Sequence, residues 1–152
     1  MLRLFCLFTL LISFSCNKIY TIENNVIGKN RYSILKYNPK EHCYIFKDVV
    51  AAKLSKNEIT EIEKIIFPKI SETITNHNTR LNSNDNYCRQ YLAVINSKNE
   101  KIVWIQFYCG EVSNKDLKSY ALNVSDGGDC LFKIKVNLSN KTFYDYSENM
   151  EA

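Results

Sequence analysis

Cysteine, histidine and carboxylate spacing limits the chemistry open to this 152-residue chain, which holds six cysteines and two histidines. Cys88, Cys109 and Cys130 fall at the same end of three successive strand-like runs. Three thiolates could hold a metal, but the paired C-x-x-C spacing of such sites is missing, and structural disulfides fit the spacing better. A Cys109 to Cys130 bridge would close the long connection between two strands and constrain the unfolded chain by about 3 kcal/mol. Cys43 would then pair with Cys88. His42 and His77 stand far apart, outside any ligand-spaced cluster, and read as surface loop residues. No Ser, Cys or Asp sits in a nucleophile setting, and no glycine-rich loop precedes a helix to cradle phosphate. Asp126-Gly127-Gly128-Asp129 offers two carboxylates, fewer oxygens than calcium needs, and reads as a tight turn. The sequence therefore points to no catalytic residues, no metal site and no cofactor.

A second constellation is aromatic and cationic. Alternation along the strands would place Arg89, Tyr91, Trp104, Gln106, Tyr108, Lys133, Lys135, Tyr144 and Tyr146 together on the outward face of a sheet. Rings flanked by cations stack on sugars, peptides or anionic groups, which makes this a binding face. The plainer reading is that such residues only stabilise cross-strand pairs.

The elements that must position these residues are legible from periodicity. Residues 54–78 carry the one long helical pattern: Ser55 and Glu58 form a capping box, Leu54 and Ile59 a hydrophobic staple. Ile59, Ile62, Ile65, Ile66, Ile70 and Ile74 then recur on one stripe. Pro68 interrupts the pattern and predicts a kink or break at residues 64–68. A short apolar run over 44–50 predicts a first strand. Residues 87–96 and 101–109 predict a hairpin in which Asn96 opposes Lys101, so that Cys88 faces Cys109, Leu92 faces Ile105 and Val94 faces Val103 against the helix. That register leaves Tyr91 and Trp104 exposed on the far side. Strict alternation from Leu131 to Leu138, a turn at residues 139–141, and residues 142–146 with Phe143 inward complete a second hairpin. The pattern predicts an α+β domain, one helix packed on a four- to five-stranded antiparallel meander sheet, and the layout resembles the cystatin-like topology.

The first residues, MLRLFCLFTLLISFSC, combine Arg3, an apolar run and small residues at Ser13 and Ser15, which describes a secretory leader too short to span a membrane. The Cys16 that follows resembles the lipidated cysteine of bacterial lipoproteins, with Ser13 standing where the commonest lipobox has Leu. Signal peptidase cleavage with an ordinary Cys16 is the other reading. Cys6 leaves with the leader, and lipidation of Cys16 leaves an even four cysteines for an oxidising compartment. The expected organisation is a signal peptide over 1–15, a lipid-anchored tether over the Asn-rich stretch 16–40, and one domain over 41–152. A composition 45% hydrophobic and 24% charged suits a single globular domain, and the net charge of +4 is dispersed as single lysines, which gives no footprint for nucleic acid.

LSKNEITEIEKII, YCRQYLAVI, VWIQFYCG and DGGDCLFKIKVNL, with the tail ending Glu148 to Ala152, are similar to stretches in small exported proteins of Bacteroidetes-type bacteria whose function is unassigned. The resemblance covers about two thirds of the chain and implies a lipoprotein of the cell envelope, on the periplasmic side of the outer membrane; the lipid anchor makes the membrane one partner, and the outer sheet face makes an envelope protein or glycan the other. It implies nothing catalytic. Cystatin-type inhibitors carry a QxVxG segment, and Gln90-Tyr91-Leu92-Ala93-Val94 lacks its Val and Gly. Two readings of function follow: a non-enzymatic binding module acting through the outer sheet face, or a small carrier or enzyme with a pocket between helix and sheet.

Overall fold

Ser55 begins the helix as its sequence predicts. Its backbone N–H donates to the Glu58 carboxylate at 2.8 Å, and its hydroxyl accepts from the Glu58 N–H at 3.3 Å. From this capping box α2 (Lys56–Asn76) runs unbroken through Pro68. Of the expected kink or break, no break occurs: Pro68 and Lys64 both lie on the exposed side, where the carbonyl that the proline leaves without a donor is open to solvent. Ile59, Ile62, Ile66 and Ile70 form the buried stripe.

The structure, a computed structural model, describes residues 32–76, 87–109, 114–122 and 131–148. Its remaining elements are β1 (Tyr32–Leu35), α1 (Pro39–His42), β2 (Val50–Ala51), β3 (Tyr87–Ile95), β4 (Lys101–Cys109), α3 (Asn114–Ser119), β5 (Leu131–Asn137) and β6 (Thr142–Glu148). They build an α+β fold on a mixed six-stranded sheet in the order β1-β3-β4-β5-β6, with β2 also paired to β3. The β3 to β6 portion is the antiparallel meander that periodicity predicts. The sheet as a whole is not antiparallel, because β1 joins β3 in parallel. Residues 32–40, expected in a tether, instead form β1 and the start of α1, and the strand expected over 44–50 shrinks to β2.

The first hairpin pairs Ile95 with Lys101, so Leu92 faces Trp104 and Tyr91 faces Ile105. This is one residue away from the expected register. Asn96 causes the difference: its side-chain oxygen accepts from Lys98 and Glu100 N–H, drawing Asn96 into the turn while Asn99 adopts a left-handed φ of 61°. The helix-facing residues of β4 stay as expected, but β3 turns over. Tyr87, Arg89, Tyr91 and Ala93 now face α2; Cys88, Gln90, Leu92 and Val94 face away.

Two cores result, one on each side of the sheet. Under α2 the isoleucine stripe meets Tyr91, Ile105, Phe107, Phe132, Ile134 and Val136, with Phe107 stacked on Phe132 at 4.4 Å. On the outer side Leu35, Ile45, Phe46 and Ala121 cover Leu92, Val94, Ile102 and Trp104. Cys88 and Tyr108 lie beneath Leu117 of α3. Cys43 is exposed where α1 ends, and Cys88 is fully buried; the two are not joined to each other, which corrects the expected pairing. Cys130, and with it the Cys109 to Cys130 bridge, lies outside the described residues, as do residues 126–129, His77 and the leader.

β6 carries a bulge opposite Ile134. Lys133 pairs with Ser147 and Lys135 with Tyr144, so two residues of β6, Asp145 and Tyr146, oppose one of β5, and Asp145 takes a φ of 52°. Tyr144 therefore keeps the outward side, and Tyr146 crosses to the helix side against Phe132, with Lys69 over its ring at 4.8 Å. Phe143 pairs with Val136 as expected but stays 40% exposed at the sheet margin.

Candidate ligand groove on the outer sheet face

Register lines up the outer residues of β4, β5 and β6 in two adjacent rows. Trp104, Lys135 and Tyr144 form one, and Gln106, Lys133 and Ser147 the other. Over them opens a groove of about 400 Å³, floored by Trp104 and Gln106 and edged by Tyr44, Ile45, Leu122 and Leu131, with Lys133, Lys135, Asp145 and Ser147 along β5 and β6.

Local chemistry builds each wall. Asn38 caps α1 with its side-chain oxygen on Lys40 N–H at 3.1 Å, and Pro39 takes the first helical turn, where it lacks no partner. The Asn38 N–H donates to His42 Nδ1 at 3.0 Å, and His42 O then accepts from Ile45 and Phe46 N–H. This tight wrap lays Ile45 and Phe46 on the sheet and leaves Tyr44 reaching over it, 65% exposed. His42 is thus buried, not the surface residue expected from its isolation in sequence. The opposite wall hangs on Gln90: its amide N–H groups donate to Leu117 O and Tyr120 O, and its carbonyl accepts from Leu122 N–H and the Tyr108 hydroxyl. Ser33 also donates its hydroxyl to Leu117 O.

Electrostatically the groove holds two ammonium groups, Lys133 and Lys135, against one carboxylate, Asp145. Lys135 is committed: its Nζ meets Asp145 at 3.0 Å and sits 5.2 Å above the Phe46 ring. Burial raises the Tyr44 hydroxyl above its ordinary pKa, with Cys43 adding to it; burial and Asp145 do the same for Tyr144. Both remain neutral phenols near neutral pH.

Of the nine residues expected to share the outer face, Trp104, Gln106, Lys133 and Lys135 meet in the groove, and Tyr144 flanks it. Tyr146 reaches its edge from the helix side of the bulge. Tyr108 lies on the outer side but is enclosed under α3, with its hydroxyl donating to Gln90 and Leu122 O. Arg89 and Tyr91 do not belong to the face at all. They are 1% and 0% exposed under α2, where Arg89 pairs with Glu63 at 2.5 Å and Tyr91 donates to the same carboxylate. Trp104 is on the expected side but only 5% exposed, a floor where an open platform was expected. Tyr44, Leu122 and Ser147 were missing from the sequence reading. The Asn38-Pro39 helix start was the one signal that could have recovered Tyr44.

In comparisons with known proteins the chain matches no family model, no curated protein and no solved structure. Among the described residues no three His, Cys, Asp or Glu side chains gather to hold a metal, and no helix is long and apolar enough to cross a membrane.

Proposed function

We propose that this chain is a non-enzymatic binding module of the bacterial cell envelope and that the groove over β4, β5 and β6 is its ligand site. The observation that carries the reading is the gathering of Trp104, Gln106, Lys133 and Lys135 in a concave site of about 400 Å³, within the size of small-ligand pockets. The reading with a pocket between helix and sheet is disfavoured, because that interface is filled by side chains at or near zero exposure. The leader and Cys16 support export and lipidation at the periplasmic side of the outer membrane, in keeping with the similarity to small exported proteins of Bacteroidetes-type bacteria. One helix laid across a four-stranded meander supports a cystatin-like topology for residues 56–148.

The groove reading is tested by native mass spectrometry of the domain after incubation with a small-molecule extract of bacterial envelopes. A bound mass on the wild type that disappears in Ser147→Trp, which fills the groove, supports it. A mass retained equally by both proteins, or carried by neither, sinks it.

A further inference from the structure

Gln90 and Gln106 are cross-strand partners on the same face of the sheet, at 0% and 5% exposure. Their amides are used in opposite ways. Gln90 makes four hydrogen bonds within the protein. The Gln106 amide makes no hydrogen bond among the described residues, and its polar atoms open on the groove that it lines. The Trp104 indole N–H, its neighbour on β4, is in the same position. Both groups are reached by solvent through the groove, so they stand as donors ready for a guest that carries acceptors.

The charge around them says which guest. Lys133 is the cross-strand partner of Gln106 and forms no ion pair among the described residues, whereas Asp145 is already engaged by Lys135. Amide, indole and ammonium donors therefore converge from adjacent positions, with one cation left over. The walls beside them, Ile45, Leu122 and Leu131, are apolar and suit a hydrocarbon body.

We infer that the groove binds a small organic carboxylate with a planar apolar body, its carboxylate held by Gln106 and Lys133 and its body lying on Trp104. This rests on the groove being the ligand site and adds the chemical class of the ligand. The chain has a single tryptophan, so one indole N–H resonance in a nitrogen-15 NMR spectrum reports the floor directly. Titration with trans-cinnamate should move that resonance to saturation, with an affinity about tenfold above that of neutral cinnamamide. Lys133→Met should bring cinnamate down to the cinnamamide level. Gln106→Leu should weaken cinnamate by about tenfold while leaving the melting temperature unchanged or higher, as expected for removal of an amide with no partner. Equal binding of the two probes would overturn the carboxylate assignment and leave the groove reading standing. No movement with either probe up to about 10 mM would also overturn it, and the Ser147→Trp comparison would then decide the groove reading separately. A large drop in melting temperature in Gln106→Leu would show that the amide serves the fold.

Discussion

Glu63 and Arg89 meet at 2.5 Å between helix and sheet, both almost fully enclosed, and this pair is the costliest polar feature of the main core. Burial holds the Glu63 carboxyl above the usual carboxylate range, with Arg89 and the Tyr91 hydroxyl pulling it back. Removing one partner strands the other charge, so Glu63→Ala should lose about 3 to 5 kcal/mol in urea denaturation. Glu63→Leu combined with Arg89→Met should recover most of that loss, since an apolar pair of similar volume avoids desolvation altogether. His42 makes a second residue-scale prediction. Burial lowers its pKa from 6.5, with Glu41 opposing in part, and its Nδ1 must stay unprotonated to accept from Asn38. The unfolded chain therefore takes up the proton first as pH falls. His42 costs nothing above pH 6.5, and stability declines below it until the folded state also titrates. Denaturation midpoints at about pH 7.5 and 5.5 should differ less in His42→Gln than in the wild type, because glutamine can accept the same hydrogen bond without titrating.

Among the elements, α2 and the four meander strands were legible because caps and periodicity leave marks in single segments. The pairing phase of β3 with β4 was not. Every residue from Tyr87 to Val94 is buried, so β3 shows no alternation of polar and apolar residues to say which face meets the helix. A side-chain hydrogen bond at Asn96 then decides the phase, and with it the fate of Arg89 and Tyr91. The outer face misled for a related reason. Its aromatics look like an exposed platform until α1 and α3, short segments with little periodicity, fold over them. Enclosure of Trp104 predicts blue-shifted fluorescence, and Trp104→Ala should cost about 3 to 5 kcal/mol in place of the small loss expected of a surface ring. Red-shifted, freely quenched emission would contradict the second core. Part of the candidate site was nonetheless readable, since Trp104, Gln106, Lys133 and Lys135 needed only the phase of β4 and β5, which strict alternation in β5 supplies.

At the scale of the whole molecule, the proposed anchor and the groove are separable. Cys16→Ser should move the protein from the membrane fraction to the soluble envelope fraction, with no acyl mass at the mature N-terminus of the variant, while cinnamate binding is unchanged. Unaltered membrane association would remove the lipoprotein reading and leave the groove untouched. The bulge in β6 bears on how copies of the molecule tolerate one another. β6 is the last strand in the sheet order, and among the described residues its far margin has no neighbour. A straight margin of unpaired N–H and carbonyl groups invites a second copy to add its own strand, the first step toward fibrils. Asp145, in its left-handed conformation, throws the two halves of β6 out of step, so no regular strand can follow the margin for its full length. Deleting Asp145 would restore one phase, with Tyr146 opposite Ile134 on the helix side, and offer a continuous edge. Light scattering should then show concentration-dependent assembly at protein concentrations where the bulged wild type stays dispersed.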